Sequence, residues 1–113
     1  MKKICKASYN DFDDSLLISC REKNENIKEN FKFGDLIFGL TGNGKIVVVN
    51  IQNASIFLSE SGIDPLILEN FEAVSMQIVT KECSLFIRID ILYKGKEIPV
   101  PLGRVYVPQL CVK

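Results

Sequence analysis

The chain contains no histidine. With it go the side chain that titrates near neutrality, the commonest metal ligand and the usual base of a nucleophilic pair. The four cysteines, Cys5, Cys20, Cys83 and Cys111, include no CxxC spacing that would anchor a zinc ribbon. Net charge is absent as well: 14 basic residues face 14 acidic ones, and the two halves divide eight to seven up to Leu58 and six to seven beyond it. A surface that attracts phosphate backbones needs clustered Lys and Arg, so nucleic acid is not expected as a partner. No apolar run approaches the roughly 18 residues of a membrane span, and the N-terminus turns polar at Tyr9-Asn10-Asp11 before a signal-peptide core can form. The expectation is a soluble protein that stays in the cytoplasm, off the membrane, with four reduced thiols acting as small buried hydrophobes.

What is present suits one core. A chain of 113 residues is a single domain, 1–113, too short for two independent cores. Its apolar fraction of 47% and mean hydropathy of +0.15 are high for a chain whose size leaves much of its surface wet. Some apolar surface should therefore meet a partner. A second copy of the chain, giving a homodimer, is the simplest one, and another small protein is the other.

Alternation with period two runs through most of the chain. Lys3 to Tyr9 and Ser15 to Arg21 read as a hairpin around the turn-forming Asn10 to Asp14, with Leu16, Ile18 and Cys20 facing the core. If that hairpin is symmetric, Cys5 comes opposite Cys20. This is the one cysteine pair that could be bridged; a cytosolic location argues against a bridge and a hyperthermophile source for it. Residues 22–30 read as a charged loop leading into a short strand at Phe31 to Phe33. The central hairpin spans Asp35 to Ser55, and Asn43-Gly44 reads as a two-residue type I′ turn pairing Leu40 with Val47. That register sets Leu36, Phe38 and Leu40 beside Val47, Val49 and Ile51; a slip of one residue would bring Asn50 and Gln52 there instead. Short helical turns are expected at Ile56 to Glu60 and after Asp64-Pro65, an N-cap followed by proline. Strands resume with Val74, Met76 and Ile78, then with Leu85, Ile87, Ile89, Ile91 and Tyr93 on one face. Ile98 to Val107 holds Pro99, Pro101 and Gly103 and belongs at an edge or a bend.

Few residues suggest chemistry. Gly39 to Lys45 satisfies GxxxxGK, but Ile46 replaces the hydroxyl residue that would hold magnesium, and IVVVNI follows where a helix should begin. A hairpin turn is the better reading. Asp11, Asp13 and Asp14 lack the further oxygen ligands, central glycine and late glutamate of a calcium loop, so they read as a solvated turn. Arg88 and Asp90 default to a solvated strand face, and Glu97, Arg104 and Tyr106 carry no pattern. No catalytic residue, cofactor or metal site is assembled.

Two stretches resemble a small prokaryotic family known as domain of unknown function 2283. Tyr9 to Ile18, with Asp14-Ser15-Leu16-Leu17-Ile18, is similar to its opening pattern of Tyr-Asp followed by Asp-x-Leu-Tyr-Ile. Asn43-Gly44-Lys45-Ile46-Val47 through Asn53-Ala54-Ser55 is similar to its closing pattern, without a gap. Val48 stands where the family usually has glycine and Asn50 where it usually has glutamate; Asp14 is kept. The resemblance covers about residues 3–58 and makes 59–113 a strand-rich extension. It implies a compact β-rich domain with a short helix after Asn-Ala-Ser, no established activity, and an antitoxin-like or regulatory role beside a small toxin-like protein. The fold expected is mainly β, one antiparallel sheet or sandwich with one or two short helices, with α+β as the alternative. The function expected is a protein-interaction or regulatory module. Its alternative is a small ligand-binding protein or enzyme using Asp14, Asn50 and Asn53, which also mark the candidate ligand or partner surface.

Overall fold

Period-two alternation becomes strand wherever turn residues let the chain reverse, and it does so eight times among the described residues. The computed structural model describes residues 3–106. Its strands are β1 (Lys3–Asn10), β2 (Ser15–Ser19), β3 (Glu29–Phe33), β4 (Leu36–Leu40), β5 (Ile46–Gln52), β6 (Ala73–Lys81), β7 (Ser84–Tyr93) and β8 (Lys96–Tyr106). Between β5 and β6 lie helix α1 (Ala54–Glu60) and a 3-10 helix (Pro65–Glu69). The strands form one antiparallel sheet in the order β3-β4-β5-β2-β1-β6-β7-β8. The fold is mainly β, as expected, and the second helical element is 3-10 because Asp64 and Pro65 set up a turn too short to propagate. The Asp64 carboxylate accepts from the Leu66 N–H, as its capping role requires.

The sheet curls so that one face encloses a single core. Leu16, Ile18, Phe38, Val49 and Ile51 from the first half meet Val74, Ile89, Ile91 and Val100 from the second, and Leu58 of α1 and Leu68 of the 3-10 helix are buried with them. Each such side chain contributes about 1.5–3 kcal/mol on leaving water.

Strand β1 carries the join. Its residues Lys6 to Asn10 pair with β2, and Lys3 to Cys5 pair with β6, so the chain changes partners at Cys5. At that corner Cys5 is disulfide-bonded to Cys20, with Cα atoms 4.6 Å apart. Hairpin symmetry had placed these two opposite one another. The expectation of four reduced thiols is overturned: Cys83 is disulfide-bonded too, and Cys111 lies outside the described residues.

The central hairpin keeps its core register and changes its turn. Phe38 pairs with Val49 and Leu36 with Ile51, as read from the sequence, but Leu40 pairs with Ile46 and the register shifts between Gly39 and Leu40. The loop is three residues long, closed by the Thr41 N–H on the Lys45 carbonyl at 2.9 Å. Gly44 alone takes positive φ, +82°, whereas a type I′ turn would require it of Asn43 as well. Thr41 decides the matter, because its hydroxyl accepts from the Lys45 N–H at 3.2 Å and holds the wider loop. The bulge adds Val47 to β5 and restores the register beyond it. Two residues with positive φ occur instead at Lys94-Gly95, at 51° and 76°, where Tyr93 pairs with Lys96. The proline-bearing β8 is an edge strand, and Leu102 is bulged out of its pairing with β7. Val107, the expected end of that segment, lies outside the described residues.

Candidate functional site

Asp14 and Asn53, on separate hairpins, meet at the start of α1. Tyr9 on β1 donates its phenol to Asp14 Oδ1 at 2.5 Å; the Ser55 N–H reaches the same oxygen at 3.0 Å, and the Ser55 hydroxyl reaches Oδ2 at 2.7 Å. The Ala54 N–H donates to the Asp14 carbonyl at 2.9 Å. Asn53 occupies the N-cap position in left-handed conformation, φ 53°, and its side chain makes no cap hydrogen bond. Its amide reaches Asp35 Oδ1 at 3.4 Å instead. Asp14, itself at φ 55°, therefore caps a helix to which it does not belong. Burial pushes the Asp14 carboxyl up, but the hydrogen bonds from Tyr9 and from the Ser55 side chain and backbone outweigh it and hold it below its usual value. The hydrogen bond to Asp14, with burial added, pushes the Tyr9 phenol up to about 12. Such a carboxylate is fully engaged, and the arrangement fastens α1 to the first hairpin.

Asn50 does not join them. It lies on the outer face of the sheet, away from the core, in a row that runs Leu17, Asn50, Ile37 across β2, β5 and β4. Leu17 is 42% exposed, while Asn50 Oδ1 is buried and meets no donor among the described residues. The neighbouring row runs Ser19, Val48, Gly39. The loop after Cys20 folds over this end: a Cβ on Gly39 would stand 3.2 Å from both Ile27 Cδ1 and Val48 Cβ, so a larger residue would press on both. β2, β4 and β5 contain no charged residue, and the surface they present is small, apolar or amide-bearing.

The other motifs resolve into structure. In the GxxxxGK stretch, Lys45 is paired with Glu25 at 2.7 Å and strand β5 follows it directly. Asp13 accepts from the Ser15 hydroxyl at 2.7 Å, and Asn10 accepts from the Phe12 N–H at 2.9 Å, so the acidic turn is tied to its own backbone and neighbours. Among the described residues no group of three or more His, Cys, Asp or Glu is arranged to hold a metal ion. Open clefts border Tyr9, Asp11 and Glu69 on one side and the Cys5–Cys20 corner on another, and neither is lined by Asp14, Asn50 or Asn53.

Asp90 departs from the solvated face expected of it, whereas Arg88 keeps to it. Arg88 Nη2 lies 3.1 Å from Asp90 Oδ2, and Asp90 is only 4% exposed, flanked by Ser75 of β6 and Pro99 of β8. Arg104 is also built in: its Nε donates to the buried Ser84 Oγ at 3.1 Å, and its guanidinium stacks 5.5 Å above the Phe86 ring. Proline and serine neighbours, which sequence alternation treats as neutral, are what enclose Asp90. Among the described residues no helix is long and apolar enough to cross a membrane. In comparisons with known proteins, the chain matches no family model, no curated protein and no solved structure.

Proposed function

We propose that the chain is a protein-interaction module that works as a homodimer, with the outer face of β2, β4 and β5 as its contact surface. The observation that carries this reading is Asn50, whose buried amide oxygen lacks a donor among the described residues, in a row that is uncharged across β2, β5 and β4 and reaches a charge at Lys32 of β3. An unsatisfied buried acceptor costs about 1–3 kcal/mol. In a twofold dimer the same patch meets itself, so any charge on it would face its own copy; a charge-free face avoids that repulsion. With the Asn50 side chains turned outwards, two amides meeting at the axis exchange one N–H···O bond in each direction, which satisfies both oxygens. A formal net charge of zero adds no long-range self-repulsion.

The resemblance to domain of unknown function 2283 supports a regulatory, antitoxin-like role for such a dimer. Tyr9, Asp14 and Ser55, which lie within the two stretches that carry it, fasten α1 to the first hairpin. A cytoplasmic location belongs to the same reading and carries a condition. Intracellular disulfides persist in hyperthermophiles and are rare in mesophiles, so a cytoplasmic chain with these cross-links is a thermostable one.

Sedimentation equilibrium of Asn50→Asp tests the interface. A wild-type dimer at micromolar concentration, weakened at least tenfold by two carboxylates meeting at the axis, is the expected result. A monomeric wild type, or a dimer indifferent to Asn50→Asp, rejects the surface; capture of a different small protein by the monomer would replace the second copy as its occupant.

A further inference from the structure

We infer that the groove on the outer face of β7 and β8 is a carboxylate-binding site for an acidic peptide segment, with Arg88 and Arg104 as its charged walls and Phe86 as its floor. The site lies on different strands from Asn50 and does not depend on self-association.

The groove encloses about 290 Å³ and is lined by Gln77, Phe86, Arg88, Pro101 and Arg104. Two cross-strand rows build it, Phe86 with Arg104 and Gln77 with Arg88 and Pro101. The bulge at Leu102 sits between these rows, and a bulge re-aims the side chains beside it. Arg104 follows it by two residues and comes to lie over Phe86. Its Nε is occupied by Ser84, a contact that fixes the guanidinium plane and leaves the terminal nitrogens without an acceptor among the described residues. Arg88 is fixed in the same way by one contact, Nη2 to Asp90, and its side chain remains 47% exposed. Two forks oriented beforehand lose little rotamer freedom on meeting a carboxylate, and each can bind one bidentately.

The surroundings choose among anions. Phe86 is 41% exposed, and with Pro101 it offers apolar surface beside the charges, which suits the methylene stem of a glutamate. Nucleic acid would need a wider positive field than two arginines, one of them ion-paired, supply in a chain of zero net charge. Addition of a strand to the β8 edge is disfavoured because Pro99 and Pro101 have no N–H to donate. The peptide is therefore held through its side chains on the face of the sheet.

Fluorescence anisotropy with a labelled glutamate-rich decapeptide tests the site, with the glutamine counterpart as control and inorganic phosphate and a short DNA duplex as competitors. The full chain should bind the glutamate peptide at least tenfold more tightly than the glutamine peptide. Arg104→Gln should weaken binding about tenfold while the chain stays folded by its far-ultraviolet spectrum, and Arg104→Lys should recover only part of it. Arg104 is the residue to vary, because removing Arg88 deprives the buried Asp90 of an ion-pair partner. Amide resonances of Phe86, Arg88 and Arg104 should shift on titration. Equal binding of the two peptides, no binding, indifference to Arg104→Gln, shifts confined to other strands, or stronger competition by phosphate or DNA than by unlabelled peptide would each overturn the assignment.

Discussion

Asp14 and Ser55 are 41 residues apart in the chain, and a single carboxylate accepts both the backbone N–H and the hydroxyl of that serine, at 3.0 and 2.7 Å. The first hairpin thereby caps the helix that follows the central one. Asn53 cannot perform this service itself, because its left-handed backbone turns its side chain towards Asp35.

Removing the cap should destabilise the protein without changing its topology. Asp14→Ala loses three hydrogen bonds to a charged acceptor and forces alanine into φ 55°, at a cost of about 2–4 kcal/mol. Asp14→Asn tolerates the backbone and keeps two acceptor positions, so about half of that loss is expected. Urea midpoints of the two variants measure the difference.

The same cluster sets stability limits at both ends of the pH scale. Asp14 has a lowered folded value, so its contribution is present above its ordinary value of 3.8 and is lost as pH falls through the folded one. Tyr9 is raised from 10.0 to about 12, so its contribution is full below 10.0 and disappears as pH rises towards 12. Tyr9→Phe should cost about 1 kcal/mol at neutral pH and remove this part of the alkaline decline, which denaturation at about pH 9 and pH 11.5 compares.

The disulfide at the sheet's corner closes a segment with a sequence separation of 15. The double variant Cys5→Ala/Cys20→Ala isolates it from Cys83 and should lose about 3 kcal/mol, mostly through greater freedom of the unfolded chain. Unfolding followed by circular dichroism reads the loss directly. An unchanged midpoint would mean that β1 holds its corner through its two ladders alone.

Much of this architecture was legible, and the limits have physical causes. Alternation found the buried faces of β2, β4, β5 and β7 because each sets an apolar row against the core, and symmetry about Asn10 to Asp14 placed Cys5 opposite Cys20. Turn geometry was less visible. Asn43-Gly44 favours type I′ by itself, but the hydroxyl of Thr41, outside the dipeptide, selects the wider loop. The joint role of Tyr9, Asp14 and Ser55 is a contact between distant segments, which no local pattern encodes. Asp90 looked solvated because alternation assigns a face and says nothing about how crowded that face is.

The tight turn before β8 leaves room for improvement. Lys94 is held at φ 51° beside Gly95, and a lysine there carries left-handed strain that asparagine bears more easily. Lys94→Asn should raise stability by about 0.5–1 kcal/mol, even with the loss of its contact over the Tyr93 ring. The melting temperature reports it.

Leu17 is the exposed apolar anchor beside Asn50, and a charge placed there tests self-association through this face most directly. Light scattering coupled to size exclusion should give the wild-type chain twice its mass of 12.7 kDa at micromolar concentration. Leu17→Lys should elute as a folded monomer with an unchanged far-ultraviolet spectrum. A wild type that stays at 12.7 kDa as concentration rises, or a dimer that Leu17→Lys leaves intact, would contradict the proposed interface.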